Sequence, residues 1–88
     1  MYKVEYTKSV LKQLKKLDKS IAALILGWID KNLEGCQDPR IHGKSLSADK
    51  TGIWRYRVGD YRILADIDDK KIVILVINIG YRKDIYKL

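Results

Sequence analysis

Gly52-Ile-Trp-Arg-Tyr-Arg-Val-Gly-Asp-Tyr-Arg-Ile-Leu64 is the stretch on which the fold turns. From Ile53 its polarity alternates with the two-residue period of a strand. Trp54, Tyr56 and Val58 share one side, the natural core side. Ile53, Arg55 and Arg57 share the other. Gly59-Asp60 is a two-residue hairpin turn in which glycine supplies the positive φ. The return strand runs from Tyr61 to about Ile67. Asp68-Asp69-Lys70 turns the chain again. Ile72 to Ile79, apolar and β-branched almost throughout, reads as a central strand buried on both faces, ended by Gly80. The three strands form an antiparallel meander.

Working upstream, residues 2–6 alternate as a half-buried strand. Thr7 is placed to cap a helix, and Val10, Leu11, Leu14 and Leu17 follow at helical spacing. Ser20 is a second cap candidate. Ile21, Leu24, Ile25, Trp28, Ile29 and Leu33 make a longer stripe, with Gly35 as C-cap. The short break at Asp18-Lys19 makes the two helices an antiparallel hairpin. Gly27, inside the second helix, suggests a close helix–sheet approach. Residues 35–51, which hold Pro39 and Gly43, are irregular, and Arg82 to Leu88 is a short helix or tail. The order β-α-α-β-β-β-α describes one α+β domain over residues 1–88, a small antiparallel sheet packed on an N-terminal helix hairpin.

Eighty-eight residues leave no room for a second core. The longest apolar run, Ile72 to Ile77, is far too short to span a membrane, and Met-Tyr-Lys-Val-Glu is no secretory signal. Cys36 is the only cysteine and His42 the only histidine, which excludes an internal disulfide, a two-cysteine zinc site and a two-histidine centre. Cys36 is expected to be inert, and the compartment reducing and cytoplasmic. The formal net charge is +7. Its distribution is uneven: residues 1–20 carry +4, residues 21–39 carry −2, and residues 40–62 carry +4. Such gathered charge is the footprint of a polyanion binder, set against the plainer reading of a solvated basic surface.

If the helices cover one sheet face, Arg55 and Arg57 lie on the other. Arg62 begins the neighbouring strand, Arg82 follows the last one, and Tyr86 is one helical turn further on. Lys44 and Lys50 sit in the loop leading into the sheet, while Lys12, Lys15 and Lys16 line the outer face of the first helix. Each of these is also explained by ordinary solvation, and Tyr86 by stapling the C-terminus to the core. Together they suggest one concave cationic surface. His42, in a Gly-flanked loop, reads as an ordinary surface residue. Asp66, Asp68 and Asp69 surround a turn and lack a full ligand set, so no metal or other cofactor is expected.

Gly52 to Leu64, preceded by Gly43-Lys-Ser-Leu46 and followed by Ile79-Gly-Tyr-Arg-Lys-Asp-Ile-Tyr86, resembles the RelE/ParE toxin superfamily over nearly the whole chain. The resemblance implies a type II toxin silenced by an antitoxin encoded beside it. RelE-type members cut mRNA in the ribosomal A site. ParE-type members inhibit DNA gyrase on a similar scaffold. Carried over, the RelE-type catalytic positions fall on Arg62, Arg82, Tyr86 and Arg55. A further position, usually basic, falls on Ile53, and Arg57 or Lys44 is left to supply its charge. Metal-free cleavage by a 2′-hydroxyl needs positive charge around phosphorus, a base and an acid. Arg62 and Arg82 suit a bidentate phosphate clamp. Tyr86 serves as base or as a stacking platform. Lys44, Lys50, Arg57, Lys12, Lys15 and Lys16 are the expected RNA or ribosome contacts. The expected partners are ribosome, mRNA and an acidic antitoxin segment in a hetero-oligomer, with no membrane. The alternative is a ParE-like gyrase inhibitor without enzymatic activity, and a third reading is a basic binding module.

Overall fold

The computed structural model describes residues 1–46 and 53–83. The elements are β1 (Lys3–Tyr6), α1 (Lys8–Lys16), α2 (Lys19–Asn32), β2 (Gly43–Ser45), β3 (Ile53–Val58), β4 (Tyr61–Asp68) and β5 (Val73–Tyr81). The two helices pack on one face of a five-stranded sheet ordered β1-β5-β4-β3-β2. The α+β architecture and the β3-β4-β5 meander are as the sequence reads. The sheet, however, is mixed rather than antiparallel, because β1 pairs in parallel with β5, from Lys3↔Val73 to Tyr6↔Val76. The helix hairpin lets the chain leave β1 and re-enter the sheet elsewhere, as a parallel neighbour requires. An additional strand, β2, sits in the segment read as irregular and pairs antiparallel with β3. Tyr86 and Lys50, and most of the expected C-terminal helix, lie outside the described residues.

The Thr7 hydroxyl oxygen accepts from the Val10 N–H at 3.1 Å and caps α1. Val10 and Leu14 are buried, whereas Leu11 is left exposed. The residue before α2 is Asp18, in extended conformation, so the cap position falls there and not on Ser20, whose hydroxyl donates to Asp18. Gly35, at φ +77°, lies beyond the end of α2 and returns the chain to β1, where its N–H meets the Tyr2 carbonyl. Gly27 is not a point of close approach, since a Cβ there would meet nothing within 4 Å. The core joins Val10, Leu14, Ile25, Ile29 and Leu33 to the helix-side residues of the sheet, Tyr56, Val58, Ile63, Ala65, Ile74, Val76 and Ile79.

Strand β5 is not buried on both faces. Ile74 and Val76 are buried, while Val73, Leu75 and Ile77 between and beside them are only partly so. Its pairing with β4 breaks once. Leu64 faces Asn78, but Ala65 faces Val76, so Ile77 is an extra residue. Before it the even-numbered positions face the helices; after it the odd-numbered ones do, as the burial of Ile79 shows. Beyond the end of β1, Gln13 of α1 holds this bulge. Its amide nitrogen donates to Asn78 Oδ1 at 2.6 Å and its oxygen accepts from the Ile79 N–H at 2.9 Å.

Candidate active site

The open face of the sheet receives cations from four successive segments. Alternation in β3 turns Arg55 and Arg57 away from the core, opposite Tyr56 and Val58. The tight turn at Gly59 (φ +59°) sets Arg62 directly across from Arg57. Lys44 of β2 lies directly across from Arg55. On the far side of β4, Arg62 faces Gly80. The bulge at Ile77 puts Gly80 on the open face and Tyr81 on the helix side, edge-on to Tyr61. Arg82, next in alternation, lines the cleft, and its N–H donates to the Asp60 carbonyl at 2.8 Å.

An open cleft of about 640 Å³ results, lined by the cations Lys44, Arg55, Arg57, Arg62, Arg82 and Lys83, with Ile41, His42 and Gly43 on its rim. Among the described residues no carboxylate lines it. Arg62 is anchored through Nη1, which donates to the Gly59 and Tyr61 carbonyls at 3.1 and 3.0 Å. Neither bond uses Nη2 or Nε, so the outer edge of the guanidinium can engage a phosphate.

The rim is fixed by the loop before β2. Tyr56, buried on the core side, donates its hydroxyl to the Pro39 carbonyl at 2.6 Å, and burial pushes its phenol far above the ordinary tyrosine range. Trp54 Nε1 donates to the Arg40 carbonyl at 3.2 Å, and the Arg40 guanidinium stands over the Trp54 ring. Arg40 also makes a bidentate pair with Asp69, 3.0 Å on each arm, and the Tyr2 hydroxyl donates to the same carboxylate at 2.6 Å. The hydrogen bonds from Arg40 and Tyr2 hold the Asp69 carboxyl below its ordinary range. Gly43 then runs against β3: a Cβ there would collide with the Arg55 carbonyl and lie 2.8 Å from ring atoms of Trp54 and Tyr56. Only glycine lets β2 pair so closely.

The structure thus brings together Arg55, Arg57, Arg62, Arg82 and Lys44. Lys12, Lys15 and Lys16 do not join them; they stand on α1, in the helix layer on the other side of the sheet. His42, expected to be an ordinary surface residue, lines the cleft, as do Ile41, Gly43 and Lys83. Ile41 and His42 reach the cleft only because Gly43 lets the loop close on β3, a contact that no local pattern encodes, and Lys83 follows Arg82 in the chain. Among the described residues there is no cluster of metal-binding side chains. Asp68 instead accepts from the Lys70 and Lys71 N–H groups in the β4–β5 turn. Burial raises the Cys36 thiol, which disfavours the reactive thiolate. Among the described residues no helix is long and apolar enough to cross a membrane.

A family model described as the ParE toxin of type II toxin–antitoxin systems matches residues 4–86. The chain belongs to the RelE/ParE toxin superfamily. Its similarity to two superfamily toxins of Mycobacterium tuberculosis runs nearly end to end. It is 30% identical to toxin RelG over 86 residues, covering 98% of this chain and 97% of RelG. It is 31% identical to toxin RelE over 87 residues, covering 99% and 88%. Among solved structures it resembles a chain of the RelBE2 toxin–antitoxin complex of the same organism, with a TM-score of 0.80, 28% identity and coverage of 92% and 98%. The RelE/ParE scaffold accounts for the layout of helices and sheet.

Proposed function

We propose that this toxin is an mRNA endonuclease that works on the ribosome, cutting by attack of a 2′-hydroxyl on the adjacent phosphate without a metal. One observation carries the reading: Lys44, Arg55, Arg57, Arg62 and Arg82 converge on one open cleft, with Arg57 set directly across from Arg62. Like charges set directly opposite destabilise a sheet. A bound phosphodiester backbone removes that repulsion, so the arrangement favours a polyanion ligand. In this reading Arg62 and Arg82 clamp the reacting phosphate and stabilise the charge that develops on it, with Arg55 beside them. Lys44 and Arg57 hold the flanking backbone. Tyr86 and Lys50 carry their expected roles, orienting the substrate and contacting RNA. Lys12, Lys15 and Lys16 meet ribosomal RNA from the helix side.

The names of the relatives supply the partner. The M. tuberculosis RelBE2 structure is a toxin–antitoxin complex, and an archaeal RelE–RelB complex from Pyrococcus horikoshii has the same fold at 31% identity. By that likeness this chain is silenced in a hetero-oligomer by an antitoxin. An acidic segment of the antitoxin either masks the cleft or displaces the chain around Tyr86. Ribosomes place the activity in the cytoplasm.

A second reading is favoured by the ParE description of the matching family model and by the apolar Ile53 beside the cleft cations. There the same face inhibits DNA gyrase by binding alone. Purified protein incubated with mRNA, with and without ribosomes, tests the first reading. Cleavage only with ribosomes is expected. Intact mRNA together with blocked gyrase supercoiling would move the assignment to the second.

A further inference from the structure

A cleft lined by arginine and lysine supplies positive charge but nothing to receive a proton, since guanidinium and ammonium groups stay protonated at neutral pH. Among its described lining residues, one side chain is of the type that both takes up and releases a proton near neutrality, the imidazole of His42. Its position is built. Two and three residues upstream, the Arg40 and Pro39 carbonyls are held by Trp54 and Tyr56. One residue downstream, Gly43 is pressed against β3. On its α2 side the ring meets Trp28 edge-on, with centroids 6.3 Å apart. Among the described residues, the charged groups that line the cleft with it are cations: Lys44 from β2, Arg55 and Arg57 from β3, Arg62 from β4, and Arg82 and Lys83 after β5.

We propose that His42 is the general base of this cleft. The role rests on the endonuclease reading. The imidazole takes the 2′-hydroxyl proton as the 2′-oxygen forms its bond to phosphorus. The bonding pair of phosphorus and the 5′-oxygen leaves on that oxygen, which takes a proton from water in the open cleft. The hydroxide so formed recovers the proton from the imidazolium. The products are a 2′,3′-cyclic phosphate and a free 5′-hydroxyl, with no net proton change. The arginines stabilise the phosphorane-like charge while His42 moves the proton, two tasks that one guanidinium cannot combine.

The test is single-turnover cutting of ribosome-bound mRNA by the full chain, from about pH 5.5 to 8.5 across the imidazole range. Ribosome affinity is measured separately. The wild-type rate is expected to rise tenfold per pH unit on the acid side and then level. His42→Gln is expected to be slower by on the order of a hundredfold at the plateau and to lose that slope, with ribosome affinity unchanged. His42→Ala is expected to recover rate when imidazole is added, which separates lost chemistry from lost structure. A His42→Gln protein with wild-type rate and slope, or a His42→Ala protein deaf to imidazole, overturns the role of His42 and leaves the endonuclease reading standing. Wild-type protein that leaves ribosome-bound mRNA intact overturns both.

Discussion

At the scale of single residues, the division of labour between Arg62 and the lysines of α1 is open to measurement. Arg62 is held by two carbonyls over the Gly59 turn and faces Gly80, which offers no side chain to block it. Arg62→Ala is expected to slow saturated single-turnover cutting by on the order of a hundredfold or more while leaving ribosome affinity nearly unchanged. Lys15→Ala, on the exposed face of α1, is expected to do the reverse: a modest loss of affinity with a shallower salt dependence and normal cutting once bound. Asp69 gives a second prediction, on pH. Its folded carboxyl titrates below the ordinary value of 3.8 because Arg40 and Tyr2 hydrogen-bond it. The stability it contributes is therefore complete above that value and disappears as pH falls through its lower folded value. Acid unfolding followed by circular dichroism is expected to show a shallower pH dependence in Asp69→Asn than in wild type. The cations of β3 and β4 were legible in the sequence because strand alternation alone sorts Arg55, Arg57 and Arg62 from the core. His42 was not, because its place in the cleft depends on contacts with Trp28 and β3 that no local pattern encodes.

At the scale of elements, the join between α1 and β5 carries more than its size suggests. Gln13 satisfies both the Ile79 N–H and the Asn78 side chain where β1 no longer covers the strand. Gln13→Leu leaves both groups without their partner, which costs about 1–3 kcal/mol. A lower midpoint in urea is the expected outcome, together with weaker cutting, since the bulge that aims Arg82 is loosened. Ile72 predicts the opposite sign. It sits at φ +57° in the β4–β5 turn, where a branched side chain crowds the backbone. Ile72→Gly removes a strain of about 1–2 kcal/mol, offset in part by greater freedom of the unfolded chain. A small rise in the urea midpoint is expected, and a fall would show that the partly exposed Ile72 side chain contributes more than its backbone costs. These elements differ in how openly the sequence announces them. The β3–β4 hairpin follows from a local period and a turn dipeptide. β2 has only three residues, too few to show a period. The parallel pairing of β1 with β5 joins segments some seventy positions apart and leaves no local signal. The bulge is hidden because Ile77 simply continues the apolar run that begins at Ile72.

At the scale of the whole molecule, the sheet separates two basic surfaces. One is the cleft on the open face; the other is the outer side of α1 in the helix layer. Docking on RNA by a chain of net charge +7 is expected to weaken steeply with salt, with a log–log slope that counts the phosphates neutralised. Substitution of cleft cations and of α1 lysines should reduce that slope independently, because the two sets lie in different layers. Affinities measured over a range of potassium chloride check this; strongly coupled losses would mean that one continuous surface is used. The extra residue in β5 has a further bearing on the molecule. A strand has two phases, and Ile77 sets which one its end adopts. Were Ile77 paired with Leu64 instead of bulged, Tyr81 would fall on the cleft side and Arg82 would turn toward the helices, with every residue unchanged. Two homologues with the same arginines in the same order can therefore differ in the charge they present to a substrate, according to whether this one residue is bulged out or paired, while a homologue that lacks it altogether keeps the same faces.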